Sequence, residues 1–226
     1  FLQTEQTRLL LQEEKEVAEA KVALTESNNS LVLSQIQPHF LYNALTSIYR
    51  VCDVKPEAAK EAVSNFSKYL RGNLDSIKQT KMISFADELK HLQAYLSLEK
   101  IRYDDDLDIK YDIKATEFFI PPLTVQPLVE NAVNHGISDL PGGGLVTIST
   151  EEKRDYYEIR VSDNGVGFDP ETVPEDGRSH LGIMNVRSRL HIMCHGTLDI
   201  KSAPGDGTVA IIQIPKGGAT DEYHSS

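Results

Sequence analysis

The chain changes character after Thr80, and that break most constrains what it can fold into. Before it, every stretch reads as helix. After it, short strands and helices alternate. The helical part must find its own partner surface, and the mixed part must build its own core.

Residues Phe1 to Asn28 contain neither glycine nor proline. Leu10, Val17, Leu24 and Leu31 lie seven apart, which is one half of a heptad seam. The positions three further on are Glu13, Ala20 and Ser27, so this reads either as a weak coiled coil or as a single solvated helix. A second helix is expected over Leu31 to Arg50. A third is expected over Pro56 to Ile77, where Ala62, Phe66, Tyr69, Leu70 and Leu74 keep helical spacing. Asp53-Val54-Lys55-Pro56 is the turn between them, with proline placed to open a helix. Such a hairpin buries too little by itself, and a second copy completing a four-helix bundle is the simplest remedy.

Ser84-Phe85-Ala86-Asp87 reads as a capping box opening a helix that runs to Arg102. Strands are expected over Leu107–Ile113, Leu145–Thr150, Tyr156–Ser162, Thr197–Ser202 and Thr208–Ile214. Helices are expected over Leu123–Ile137 and Leu181–Cys194, with Pro121-Pro122 as a break. The fold class is α+β: a helical hairpin, then helices packed on a mostly antiparallel sheet. Asp169 to Ser179 is polar and acidic and reads as a loop, and the tail from Gly217 as disordered. Four segments follow: a leading helix (1–30), the hairpin (31–80), the mixed domain (81–216) and the tail (217–226).

The net charge of −11 argues against nucleic acid or an anionic membrane surface as partner. Cys52 and Cys194 offer no disulfide framework and no metal-like spacing. No apolar run approaches the roughly 18 residues of a membrane span. The chain opens at Phe1 inside a helical pattern, as a piece of something longer would.

Five short motifs bear chemistry. "QIQPHFLYNAL" sets His39 beside Pro38; the proline either opens a helix or bends one. In "PLVENAVNHG", Glu130, Asn131, Asn134 and His135 fall within about one turn beside apolar neighbours. An amide oxygen there suits Mg²⁺, which prefers oxygen ligands and keeps waters. The alternative is a solvated amphipathic face. "SDNGVGF" ends a strand at Asp163, and Gly165 and Gly167 permit close backbone approach; a plain turn reads equally well. "SHLGIMNVRSRL" puts Gly182 near a helix start, where backbone N–H groups attract anions. "PGDGTV" is a hairpin turn or a ligand contact at Thr208.

In this order the motifs resemble the Bergerat ATP-binding fold shared by gyrase-type ATPases, Hsp90-type chaperones, MutL-type proteins and histidine kinases. With "QIQPHFLYNAL" in front, the chain resembles the LytS/YehU-type sensor histidine kinases over Leu31 to Pro215. The resemblance implies a dimeric four-helix bundle followed by an α/β-sandwich ATP-binding domain. It implies His39 as phosphoacceptor, Asn131 on Mg²⁺, Asp163 on the adenine amino group and Gly165 and Gly167 under the nucleotide. Gly182 would close over the phosphates and Thr208 would close the adenine side. Asn134, His135, Arg178 and His180 are expected as phosphate donors from charge and position. The expected partners are a second copy, the receiver domain of a response regulator, and a sensor or membrane region upstream, so the chain would be the cytoplasmic portion of a bacterial sensor protein.

Two departures and one addition stand out. Many histidine kinases carry an acidic residue directly after the phosphoacceptor; here it is Phe40, leaving Glu130 or water to take the proton. His180 fills the first position of a stretch that often reads G-x-G. Asn43, one turn after His39, is spaced to hold a water for dephosphorylating a partner, or simply to hydrogen-bond within the bundle. A hydrolysing ATPase of the gyrase kind would carry a glutamate four before Asn131, where this chain has Pro127. An anti-sigma-type serine kinase would lack the histidine hairpin. A non-catalytic scaffold would bind nucleotide without labelling His39.

Overall fold

A computed structural model describes residues 38–79, 81–137, 140–169 and 178–217. The expected leading helix, the residues before Pro38, most of the acidic loop and the tail beyond 217 lie outside this set. The chain divides into two units, 1–43 and 44–226.

Helix α1 (Pro38–Cys52) and helix α2 (Pro56–Lys78) are joined by the turn at 53–55, and Pro56 sits at the first helical position, where its missing N–H costs nothing. Strand β1 (Ile83–Ser84) leads into α3 (Phe85–Tyr103). Ser84 caps α3 from an extended backbone: its Oγ accepts from the Asp87 N–H at 3.1 Å and donates to the Asp87 carboxylate at 2.8 Å. β1 pairs antiparallel with β3 (Phe119–Ile120), a small second sheet that the sequence does not announce.

The main sheet has the order β2-β4-β5-β7-β6: β2 (Leu107–Ile113), β4 (Gly144–Glu152), β5 (Tyr156–Asp163), β6 (Thr197–Ser202) and β7 (Thr208–Pro215). Only β2–β4 is parallel, so the sheet is mostly antiparallel, as expected. β5 is the central strand, and Asp163 at its end lies in register with Val146 of β4 and Thr208 of β7. Helix α5 (Arg178–Cys194) starts three residues before the expected Leu181. Val186 and Leu190 of α5 and Ile148, Ile159 and Ile212 of the sheet form the core, each at most 1% exposed.

The expected helix over Leu123–Ile137 begins later and changes form. Residues 121–125 are a loop, α4 spans Gln126–Asn131, and Ala132–Ile137 continue as a π-helical turn. The loop is held from both sides. Glu88 of α3, wholly buried, accepts from the N–H groups of Leu123, Thr124 and Val125 at 2.9–3.1 Å. Arg189 of α5 donates to the carbonyls of Pro122 and Leu123. Three consecutive donors converging on one carboxylate oppose the cost of burying it, but burial still raises its pKa. Among the described residues no helix is long and apolar enough to cross a membrane.

Candidate functional site

The π-helical turn presses against the turn that follows β5. A Cβ on Gly165 would lie 2.0 Å from the Gly136 carbonyl oxygen, and the Val166 N–H donates to that oxygen at 3.0 Å. Only glycine allows this crossing. It leaves a cavity of about 220 Å³ above the sheet. One wall is α4 and its continuation, through Leu128, Asn131, Ala132, His135 and Gly136; the floor is Val161 and Asp163 of β5, Thr208 and Ala210 of β7 and Ile200 of β6. Gly167, Phe168 and Ile183 of α5 close the remainder.

Asp163 is the one carboxylate among these lining residues. Its Oδ1 accepts from the Gly165 N–H at 3.0 Å, and burial raises its pKa while backbone donors at Gly165 and Thr208 oppose that rise. A half-buried carboxylate on an apolar floor suits a flat ligand that donates one hydrogen bond. Thr208 Oγ1 lies 2.9 Å from Ser202 Oγ, which also donates to the Gly207 carbonyl and so fixes the turn before β7.

The structure therefore brings together Asn131, His135, Asp163, Gly167 and Thr208. Gly165 supports the crossing on Gly136 and does not line the cavity. Gly182 has open space around it, one residue before Ile183. Asn134 is half-buried and not among the lining residues. Arg178 and His180 fall in the first turn of α5, and their side chains lie outside the described set.

Glu130 departs from its expected company. Neighbouring residues on a helix project about 100° apart, so Glu130 and Asn131 cannot share a face. Asn131 reaches the cavity. Glu130 turns the other way, accepts from Gln126 Nε2 at 2.7 Å, and is pushed up to about 7, chiefly by burial. The same seam holds Tyr69, expected only for its helical spacing in α2, with Asn73, His91 and Glu99, which sequence reasoning did not pick out. Glu99, buried beside Arg102 Nη1 at 3.3 Å, is pushed up to about 6, again chiefly by burial. The sequence signal for the seam was the i, i+4 pair Gln126 and Glu130, polar residues flanking an apolar run.

His39 is exposed on α1. Asn43 Nδ2 lies 3.1 Å from its Nδ1 and 3.3 Å from its Nε2, so the amide sits against the ring and restrains it. Phe40 is buried.

Two family models match the chain. Residues 28–107 match the family described as "Histidine kinase", and residues 122–218 match the "Histidine kinase-, DNA gyrase B-, and HSP90-like ATPase" family. The uncharacterized protein YwpD of Bacillus subtilis is 38% identical over 190 residues, covering 81% of this chain and 68% of its own length. Sensor histidine kinase YpdA of Escherichia coli is 36% identical over 188 residues, covering 80% of this chain and 33% of its own length. Sensor protein LytS of Streptococcus mutans is 32% identical over 204 residues, covering 85% and 35%. The chain thus spans about a third of the named sensor proteins. The histidine kinase domain of a blue-light activated kinase from Erythrobacter litoralis shares the fold at a TM-score of 0.50 and 15% identity, over 78% of this chain and 92% of that one. An ATPase-type domain behind a histidine-bearing hairpin, in a sequence this similar to LytS and YpdA, makes the chain a member of the sensor histidine kinases of the LytS/YehU type.

Proposed function

We propose that this chain is the kinase core of a two-component sensor: it moves the γ-phosphoryl group of Mg-ATP to His39 and then to an aspartate of a response regulator. The observation that carries this reading is the cavity uniting Asn131, Asp163, Gly167 and Thr208, in a chain that also presents His39 to solvent.

The residues present fit the nucleotide. Asp163 accepts from an exocyclic amine, while Leu128, Ala132, Val161 and Ile200 give a purine ring apolar walls. Asn131 offers one hard oxygen. Among the described residues no group of three or more acidic, histidine or cysteine side chains gathers to hold a metal, so a bound ion would take its remaining ligands from phosphates and water, as Mg²⁺ does. The ion would neutralise charge on the phosphates. His135 lines the same wall as Asn131 and donates toward the ligand. On the phosphate side this reading adds Gly182 of α5, with Arg178 and His180 just before it in the sequence as further donors.

At His39, the Asn43 amide packs against the imidazole and orients it. The unprotonated nitrogen of the neutral ring is the nucleophile. Its bond to phosphorus forms as the bond to the ADP oxygen breaks, and the proton on the other ring nitrogen passes to water. Glu130 is engaged by Gln126 in a buried seam, and this reading therefore assigns the proton to water. After transfer to the regulator, Asn43 is placed to hold the water that hydrolyses the acyl phosphate. A homodimer is the working unit: Leu45 and Tyr49 of α1 and Val63 of α2 are all more than half exposed, surface that a four-helix bundle would cover. A membrane-anchored sensor region upstream would make this the cytoplasmic portion.

Incubation with ATP labelled at the γ-phosphate tests the reading, with His39→Gln in parallel. Acid-labile, base-stable label on the parent and none on the variant is the expected result. ATP binding without any label refutes the kinase reading in favour of a scaffold.

A further inference from the structure

The nucleotide reading uses only one face of α4. The other face carries a chain of buried amides. Asn73 of α2 is 3% exposed, Gln126 is 4% and Glu130 is 9%. Gln126 Nε2 donates to Asn73 Oδ1 at 3.2 Å and to Glu130 Oε1 at 2.7 Å. His91 Nε2 of α3 lies 3.4 Å from the same Asn73 oxygen, and its ring stacks on Tyr69, one turn before Asn73. The ring also fills the space that a Cβ on Gly72 would need, so α2 and α3 are closely apposed here.

This seam is polar where packing alone favours apolar side chains. Asn73 and Gln126 are joined by one direct bond, with Tyr69 and His91 beside them. Such a polar contact is directional, at the expense of stability. Glu130 is bonded to Asn131 through the backbone, and their side chains leave α4 about 100° apart, one into the seam and one into the cavity. Rotating α4 about its axis moves both.

We propose that Asn73 is a positioning residue: through Gln126 and Glu130, α2 fixes the rotation of α4 and thereby the reach of Asn131 toward nucleotide-bound metal. Affinity for Mg-nucleotide then depends on the docking of α2, which belongs to the hairpin that carries His39. By linkage, Mg-nucleotide tightens that docking in return. The inference rests on the proposed role of Asn131.

The test is titration of the full chain with a fluorescent ADP derivative, once with Mg²⁺ and once with EDTA. Asn73→Leu is expected to weaken binding with Mg²⁺ about fivefold, the worth of one hydrogen bond, and to leave binding in EDTA unchanged. Ala62→Gly loosens α2 without touching the relay and is expected to leave both unchanged. Asn73→Leu binding as the parent does, weakening equally in both titrations, or being matched by Ala62→Gly overturns the relay. If Asn73→Leu does not fold, Gln126→Met carries the same test. Asp163→Ala separates the two readings. A parent that binds, an Asp163→Ala chain that does not, and an Asn73→Leu chain at parental affinity overturn the relay alone. A parent that fails to bind, or an Asp163→Ala chain that binds as the parent does, overturns the nucleotide site and the relay with it.

Discussion

Replacing Glu130 by glutamine should alter stability in a way that depends on pH, and its sign follows from burial. Glu130 titrates near 7 in the folded chain against an ordinary value of 4.5, with burial the largest cause and the charge of Glu99 adding to it. The folded chain therefore keeps a proton that the unfolded chain has already released. Stability falls as pH rises between those two values and then levels off. At about 1.4 kcal/mol per pH unit, that interval is worth about 3 kcal/mol. A glutamine at 130 cannot ionise and keeps an oxygen for Gln126 Nε2, so the loss disappears while the hydrogen bond survives. Urea unfolding of parent and variant from about pH 4 to about pH 8 should show the variant gaining about 3 kcal/mol over the parent across that range. Glu99, buried and pushed up to about 6, titrates in both chains and largely cancels from the comparison. A difference that stays flat with pH, or that shrinks as pH rises, would refute the claim that Glu130 is held in a desolvated seam.

Gly136→Ala places a Cβ 2.7 Å from Asp163 Oδ1; it should leave a cooperative thermal unfolding transition yet weaken ADP binding at least tenfold, the worth of a charged hydrogen bond. Gly165→Ala instead meets the Gly136 backbone at 2.0 Å, and its cost should appear as a drop of about 3 kcal/mol or more in urea unfolding. Arg189→Leu strips the carbonyls of Pro122 and Leu123 of their buried donor, for a loss of about 2 kcal/mol that calorimetry would detect. Ser84→Ala removes the cap of α3 and should cost about 1 kcal/mol by the same measurement.

The parts of the site that could be read from sequence are those that act locally. Asp163 ends a strand and is followed by glycines, so its neighbours alone mark it as a turn that could admit a ligand. Thr208 sits in a glycine-bearing turn for the same reason. The capping box at Ser84 and the strand Thr197–Ser202 are likewise settled within a few residues of themselves. Glu130 is the opposite case. Its spacing from Asn131, Asn134 and His135 says only that all lie near one turn, and which arc of that turn becomes interior depends on what packs against it. Here Asn73 and His91, 57 and 39 positions upstream, claim one arc, and the cavity claims the other. The loop at 121–125 is non-local in the same sense. A sequence that reads as helix from Leu123 is held out of it by a carboxylate from α3 and a guanidinium from α5. Both surprises concern α4, and both arise from charged or amide groups buried at distant points of the chain. The element that presents Asn131 is thus fixed at its start by Glu88 and Arg189 and along its inner face by Asn73 and Gln126. The placement of the helix that carries Asn131 is set by contacts from three other helices, and no motif containing Asn131 could have specified it.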